Sequence, residues 1–261
     1  MSTSTLGTRP SPEAPVQFDL QDGVATLTLN RPRVHNALND AMRQELGDRF
    51  DEIRARDDVR VVLLRGEGRS FCSGRDTKGF VDPAPGSTHD ALIASAQRVR
   101  LNQLGCGKPI ICTLQGHVIG AGAELALGCD IRIAAADMQF SLPESAHGLV
   151  ADTGSSTLLT AVAGPARAKW ILLSGLAIGA DQALQWNIVE WVVPRAQLDA
   201  FAQTRAAVLA GRPWEAVRRQ KRLVDCLYDE QVKAGLAREM QAQLELFSIR
   251  DRNVGVKDAA G

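Results

Sequence analysis

Three carboxylates, Glu124, Glu144 and Asp152, stand in one stretch of apolar and small residues running from Lys108 to Gly154. Acids in such surroundings lose hydration and repel one another, so at least one carboxyl is expected to titrate toward neutrality, where it can give and take a proton. Just ahead of Glu124 lies a turn of small residues, Gly120-Ala121-Gly122-Ala123, between an apolar run, Ile110 to Leu114, and a short helix expected from Ala123 to Leu127. The first N–H groups of a helix have no partner within it and sit at the positive end of its dipole, so the turn suits an oxyanion. Proton transfer beside a stabilised oxyanion is the chemistry this combination supports.

Each feature also has a purely structural reading. Glu124 in a first helical turn favours the dipole, Glu144 after Pro143 can start a helix, Asp152 can cap a helix expected at Ser155, and small residues allow close packing. Three acids converging on one donor-rich turn favour the functional reading. Other chemistries fit less well. A dinucleotide fingerprint fails at its third glycine position, which is Leu125, and Glu124 would repel a pyrophosphate. A phosphate-binding Gly-Lys-Ser/Thr is absent, as is Gly-x-Ser-x-Gly, and the four histidines are dispersed. His147 can line the same pocket as Glu144 and Asp152, but no catalytic role is assigned to it.

The elements that must position these groups follow from periodicity. Val16–Leu20 and Val24–Leu29 flank Gln21-Asp22-Gly23 as a hairpin, and Asn39 caps a helix to about Arg56 with Met42, Leu46, Phe50 and Ile53 on one face. Val59–Leu64 reads as a buried strand leading into a glycine bend, Phe71-Cys72-Ser73-Gly74-Arg75-Asp76. Residues 79–90 are Gly- and Pro-rich and read as a mobile loop able to cover a ligand, before a helix over 91–104. Short helices are expected over 155–163, 166–174 and 180–186, then a strand over 189–193. Beyond Pro194 the pattern is helical to about Ile249, with breaks at Gly211-Arg212-Pro213 and near Tyr228-Asp229. Strands alternating with helices and then helices alone indicate a layered α/β core with a helical C-terminal region. The expected division is a flexible leader over 1–14, a core over 15–194 and a helical oligomerisation or lid region over 195–261.

The 261 residues are 45% hydrophobic and 23% charged, enough for a full core, and 30 basic residues balance 30 acidic ones. No net field steers the chain to nucleic acid or a membrane surface. The five cysteines are scattered without metal-ligand spacing, which reads as reduced core thiols in a cytoplasmic protein, with no metal site. The first residues have no apolar signal core; their Ser/Thr/Arg content also matches a transit peptide.

From about Val16 to Val256 the chain resembles the crotonase (enoyl-CoA hydratase/isomerase) superfamily. Asn30-Arg31-Pro32 with Asn36-Ala37-Leu38, then Phe71 to Asp76, Lys108-Pro109 through Glu124-Leu125 with Cys129-Asp130, and Gln139-Phe140 with Pro143-Glu144 are similar to its successive motifs. The resemblance implies a spiral of ββα units forming two near-perpendicular sheets, a homotrimer or homohexamer, and an acyl-CoA substrate with no separate cofactor, since the thioester acidifies the neighbouring carbon. It further implies that the N–H groups of Arg75 and Ala121 hold the thioester oxygen, that Arg33, Val34 and Lys78 lie near the nucleotide part of CoA, and that Asp76 and Gly122 belong to the binding site. Glu124 and Glu144 resemble the hydratase pair. The run from Glu144 to Asp152-Thr153-Gly154 looks instead like the dienoyl-CoA isomerases, in which a Glu and an Asp shuttle a proton along a conjugated chain, although those enzymes usually carry Asp where this chain has Glu124. The resemblance therefore leans to an isomerase, with a hydratase and a non-catalytic acyl-CoA binder as alternatives. Family members commonly end in a further aromatic and basic helix after an acidic, glycine-containing pattern, from which Asp251 to Lys257 departs.

Overall fold

The structure, a computed structural model, describes residues 14–76 and 88–258, with side chains described through Asp251. It begins with β1 (Val16–Gln21) and β2 (Val24–Leu29), paired antiparallel around Asp22 and Gly23, whose φ values of 50° and 79° make the turn that suits strand twist. α1 (Asp40–Ala55) is capped by Asn39, whose side chain accepts from the Met42 N–H at 3.0 Å. Its Met42, Leu46, Phe50 and Ile53 are fully buried, each contributing about 1.5–3 kcal/mol by leaving water. β3 (Val61–Gly66) starts two residues later than the apolar pattern suggests. α2 (His89–Leu104) is capped by Thr88, and the Gly/Pro-rich loop expected before it lies outside the described residues except at its end.

β4 (Ile110–Leu114) and β5 (His117–Ile119) lead into α3 (Ala121–Leu127), which begins two residues earlier than expected. β6 (Ile131–Ala135), β7 (Gln139–Ser141) and a 3-10 turn, Glu144–His147, precede α4 (Ser155–Ala163) and α5 (Pro165–Ser174). Then come β8 (Ile178–Gly179), α6 (Ala180–Gln185) and β9 (Trp191–Val193), followed by α7 (Leu198–Ala210), α8 (Trp214–Asp225) and α9 (Asp229–Asp258). The last helix continues past Ile249, where the sequence pattern fades.

Two sheets result, in the order β1-β2-β3-β4-β6-β9 and β5-β7-β8. From β2 onward the first sheet is parallel, and both its faces are covered, which explains the uninterrupted apolar runs. Leu27, Leu64, Cys112 and Ala134 face the main core with α1 and α3, while Val61, Leu63, Ile111 and Ile133 face Leu198, Ala202 and Ala206 of α7. Isolated bridges, Cys72 to Val118 and Leu38 to Arg75, carry the second sheet's edge outward. Each long strand is thus followed by a short segment of the second layer and then a helix: β2, Leu38, α1; β3, Cys72 to Arg75, α2; β4, β5, α3; β6, β7, α4. This is the expected spiral of ββα units followed by a helical C-terminal region. Four cysteines are buried, but Cys226 is exposed at the end of α8, so the expectation of five core thiols is corrected there. Among the described residues no helix is long and apolar enough to cross a membrane.

Candidate active site

The spiral brings two loops together at the start of α3. Cys72 N–H donates to the His117 carbonyl and Ile119 N–H to that of Cys72, both at 3.0 Å, so the 71–76 segment lies along β5. Gly74 has φ +94°, and a Cβ there would come 2.8 Å from the Ile119 carbonyl oxygen and 3.6 Å from the Ala121 nitrogen; only glycine permits this approach. On its other side the segment pairs with Leu38, whose N–H donates to Gly74 (2.8 Å) and whose carbonyl accepts from Asp76 N–H (3.0 Å). In a strand these two bonds turn the intervening Arg75 N–H to the opposite side, the side of Ala121. Ala121 is the first residue of α3, so its N–H has no carbonyl within the helix to reach.

The three acids surround this pair of donors. Glu124, 3% exposed, accepts at Oε1 from the Thr153 N–H (2.9 Å) and the Ser155 hydroxyl (3.1 Å). Its carboxylate therefore caps no backbone of its own helix but ties α3 to the turn before α4. Asp152 is 6% exposed, and burial pushes its carboxyl up to about 7 against the opposing pull of Arg75, whose Nη2 lies 3.7 Å away, beyond hydrogen-bond contact. Glu144 starts the 3-10 turn and is half-buried; burial and then the nearby charge of Glu124 raise it to about 8. Its Oε2 is buried without a hydrogen-bond partner among the described residues.

Arg75, Ala121, Glu124, Glu144 and Asp152 line one cleft of about 750 Å³. His147 joins them on its rim. Gly122 stands behind it, where its lack of a side chain lets α3 pack on Cys72: a Cβ would come 2.4 Å from the Cys72 carbonyl oxygen. Arg33 and Val34 occupy an exposed 3-10 turn and do not line this cleft, but the Val34 carbonyl accepts from the hydroxyl of Ser73, which does, at 3.4 Å; Asp76 pairs with Arg31 at 3.0 Å, and Lys78 lies outside the described residues.

The far wall comes from α9, through Gln243, Leu246, Phe247, Ile249 and Arg250. Sequence reasoning missed these residues because helical periodicity shows that α9 has a packed face but not what the face packs against. Asp152 is not the cap of α4 either. That position is Gly154, without a side-chain cap.

A family model described as "Enoyl-CoA hydratase/isomerase" matches residues 19–259. The chain is 41% identical over 201 residues to the 1,2-epoxyphenylacetyl-CoA isomerase of Escherichia coli, covering 74% of this chain and 75% of that one. It is 33% identical over 243 residues to a probable enoyl-CoA hydratase of Rhodobacter capsulatus, covering 93% of each. Among solved structures, the enoyl-CoA hydratase/isomerase from Pseudoalteromonas atlantica superposes with a TM-score of 0.83 at 31% identity, covering 89% of this chain and 91% of that one. The motifs, the ββα spiral and these likenesses agree: the chain is an enzyme of the enoyl-CoA hydratase/isomerase family, within the crotonase superfamily.

Proposed function

We propose that the protein is an acyl-CoA double-bond isomerase. The observation carrying this reading is the division of labour among the acids. Glu124 already accepts two hydrogen bonds at Oε1, whereas Asp152 and Glu144 face one cleft with carboxyls raised to about 7 and about 8. Near neutral pH this favours one carboxylate and one carboxylic acid, a base and an acid side by side.

In the proposed reaction, ionised Asp152 removes a proton from one carbon of a conjugated acyl chain. The C–H electron pair moves along the chain to the thioester oxygen, which the N–H groups of Arg75 and Ala121 hold as a dienolate. The pair then returns through the chain to take the Glu144 proton at a separated carbon, and proton exchange restores both acids. One such donor contributes on the order of 3 kcal/mol to a transition state. Arg33, Val34 and Lys78 would meet the nucleotide part of CoA, with Asp76 and Gly122 supporting the loops that carry the donors. No separate cofactor enters these steps. A relative named as an isomerase of a different acyl-CoA, 1,2-epoxyphenylacetyl-CoA, supports isomerisation as the reaction class.

A hydratase is the second reading, because Glu124 lines the same cleft and its charge acts on Glu144. Glu124 would then position water and Glu144 exchange the α proton; a probable enoyl-CoA hydratase among the relatives supports this reading. Purified protein with a 3,5-dienoyl-CoA and, in parallel, a trans-2-enoyl-CoA separates the two by ultraviolet absorbance. Growth of conjugated 2,4-dienoyl absorbance supports isomerisation; loss of enoyl absorbance alone supports hydration; silence in both returns the question to an acyl-CoA binder.

A further inference from the structure

The turn that carries Asp152 is held from the C-terminal helix. Gln97 on α2 donates from Nε2 to the carbonyls of Asp152 and of Leu236 on α9, both at 2.8 Å, and the Val150 N–H donates to Gln243 Oε1 at 2.8 Å. The strongest hold is Glu239, itself only 6% exposed. Its Oε2 accepts from the Gly154 N–H at 2.6 Å, and its Oε1 accepts from the Ser156 N–H at 2.8 Å and the Ser156 hydroxyl at 2.5 Å. These N–H groups are the unpartnered donors at the start of α4, which has no side-chain cap of its own. A carboxylate brought from 85 residues away does the capping.

We propose that Glu239 is a positioning residue: it fixes the turn that presents Asp152 to the cleft and sets a negative charge beside that carboxyl. The inference rests on Asp152 acting in proton transfer. Burial raises the Glu239 carboxyl above its ordinary value, while the three hydrogen bonds accepted by its two oxygens favour the ionised form; once ionised, its charge opposes ionisation of Asp152, in agreement with the upward push it exerts there. The other charges around Asp152 come from each element packed on it. Arg75 belongs to the 71–76 segment, Arg43 to α1, Glu124 to α3 and Glu144 to the 3-10 turn, while Arg100 on α2 binds the Thr153 carbonyl at 2.7 Å. Of the acids among them, Glu239 alone grips the backbone on the C-terminal side of Asp152 without lining the cleft.

The test is Glu239→Gln in full-length protein labelled with 13Cγ-aspartate, the Asp152 signal being assigned by its loss in Asp152→Asn. The amide oxygen keeps an acceptor for Ser156, while the charge is gone and the Gly154 N–H meets an NH2 group. The expected result is a fall of the Asp152 titration midpoint by about half a pH unit or more. A kcat lower by about tenfold, with KM within about threefold, should accompany it. A folded variant with an unchanged midpoint overturns the proposal whatever its activity. If Glu239→Gln does not fold, Ser156→Ala removes one donor to Glu239 and alters how far its charge is offset; a moved Asp152 midpoint supports the proposal and no movement overturns it. The titration needs no turnover, and full activity of Asp152→Asn would instead sink the mechanistic reading, so the two failures are distinguishable.

Discussion

Burial decides what the acids can do. Asp152 lies close to Arg75, which alone would hold its carboxyl low, yet desolvation outweighs an ion pair at 3.7 Å and leaves it near 7. Glu144 goes higher, to about 8: loss of water and then the repulsion of Glu124 raise it, and the opposing pull of Arg75 comes behind these, whereas at Asp152 it is second only to burial. If Asp152 must be ionised and Glu144 protonated, kcat should follow a narrow bell, its acid limb near 7 and its alkaline limb near 8. Steady-state kcat measured across neutral pH checks this; a plateau continuing well above 8 would remove Glu144 as the acid. The acids themselves were legible as residues in apolar company. Glu124 does stand in the first turn of α3, where it favours the dipole, and its carboxylate in addition bonds the turn before α4; the capping role suggested for Asp152 falls instead to Gly154 with Glu239.

Among the elements, α3 is the one the site depends on most, because it carries both a proposed oxyanion donor and Glu124. Its approach to the 71–76 segment requires Gly122, where a Cβ would collide with the Cys72 carbonyl oxygen at 2.4 Å. Gly122→Ala should therefore destabilise the protein by about 1–3 kcal/mol through overpacking and lower kcat by displacing Ala121, measured by urea unfolding alongside turnover. The long elements were readable in the sequence because four or more apolar residues at a regular period leave little choice, as with α1 and β4. β5, β7 and β8 were not, since two or three residues cannot display a period; they form because neighbouring backbone, Cys72 against Val118 for example, supplies their hydrogen bonds. α9 was legible as a helix, but its role as a cleft wall depends on contacts between residues 83 to 93 positions apart, which no local pattern encodes.

For the whole molecule, the raised carboxyls tie stability to pH. The folded state holds protons on Asp152 and Glu144 that the unfolded chain releases at ordinary carboxyl values, 3.8 and 4.5. Their contribution is fully present below those values and is lost as pH rises through about 7 to about 8. The urea midpoint should accordingly fall as pH rises from about 4 to about 8, with no further loss from these groups above that range; a rise would contradict the burial account. Trp170, Leu173 and Leu176 are 55%, 75% and 56% exposed on and beside α5, apolar side chains available to the trimer or hexamer that the family resemblance implies. Light scattering coupled to gel filtration should give three or six times 28.1 kDa, and a monomer at micromolar concentration would oppose it.

The most direct test of the central claim is Asp152→Asn assayed with a 3,5-dienoyl-CoA. The substitution keeps the shape of the side chain and removes the base, so appearance of 2,4-dienoyl absorbance should slow by about 10²-fold or more while the protein remains folded. Double-bond migration at the wild-type rate would show that Asp152 does not take the proton, and the isomerase mechanism would fall with it.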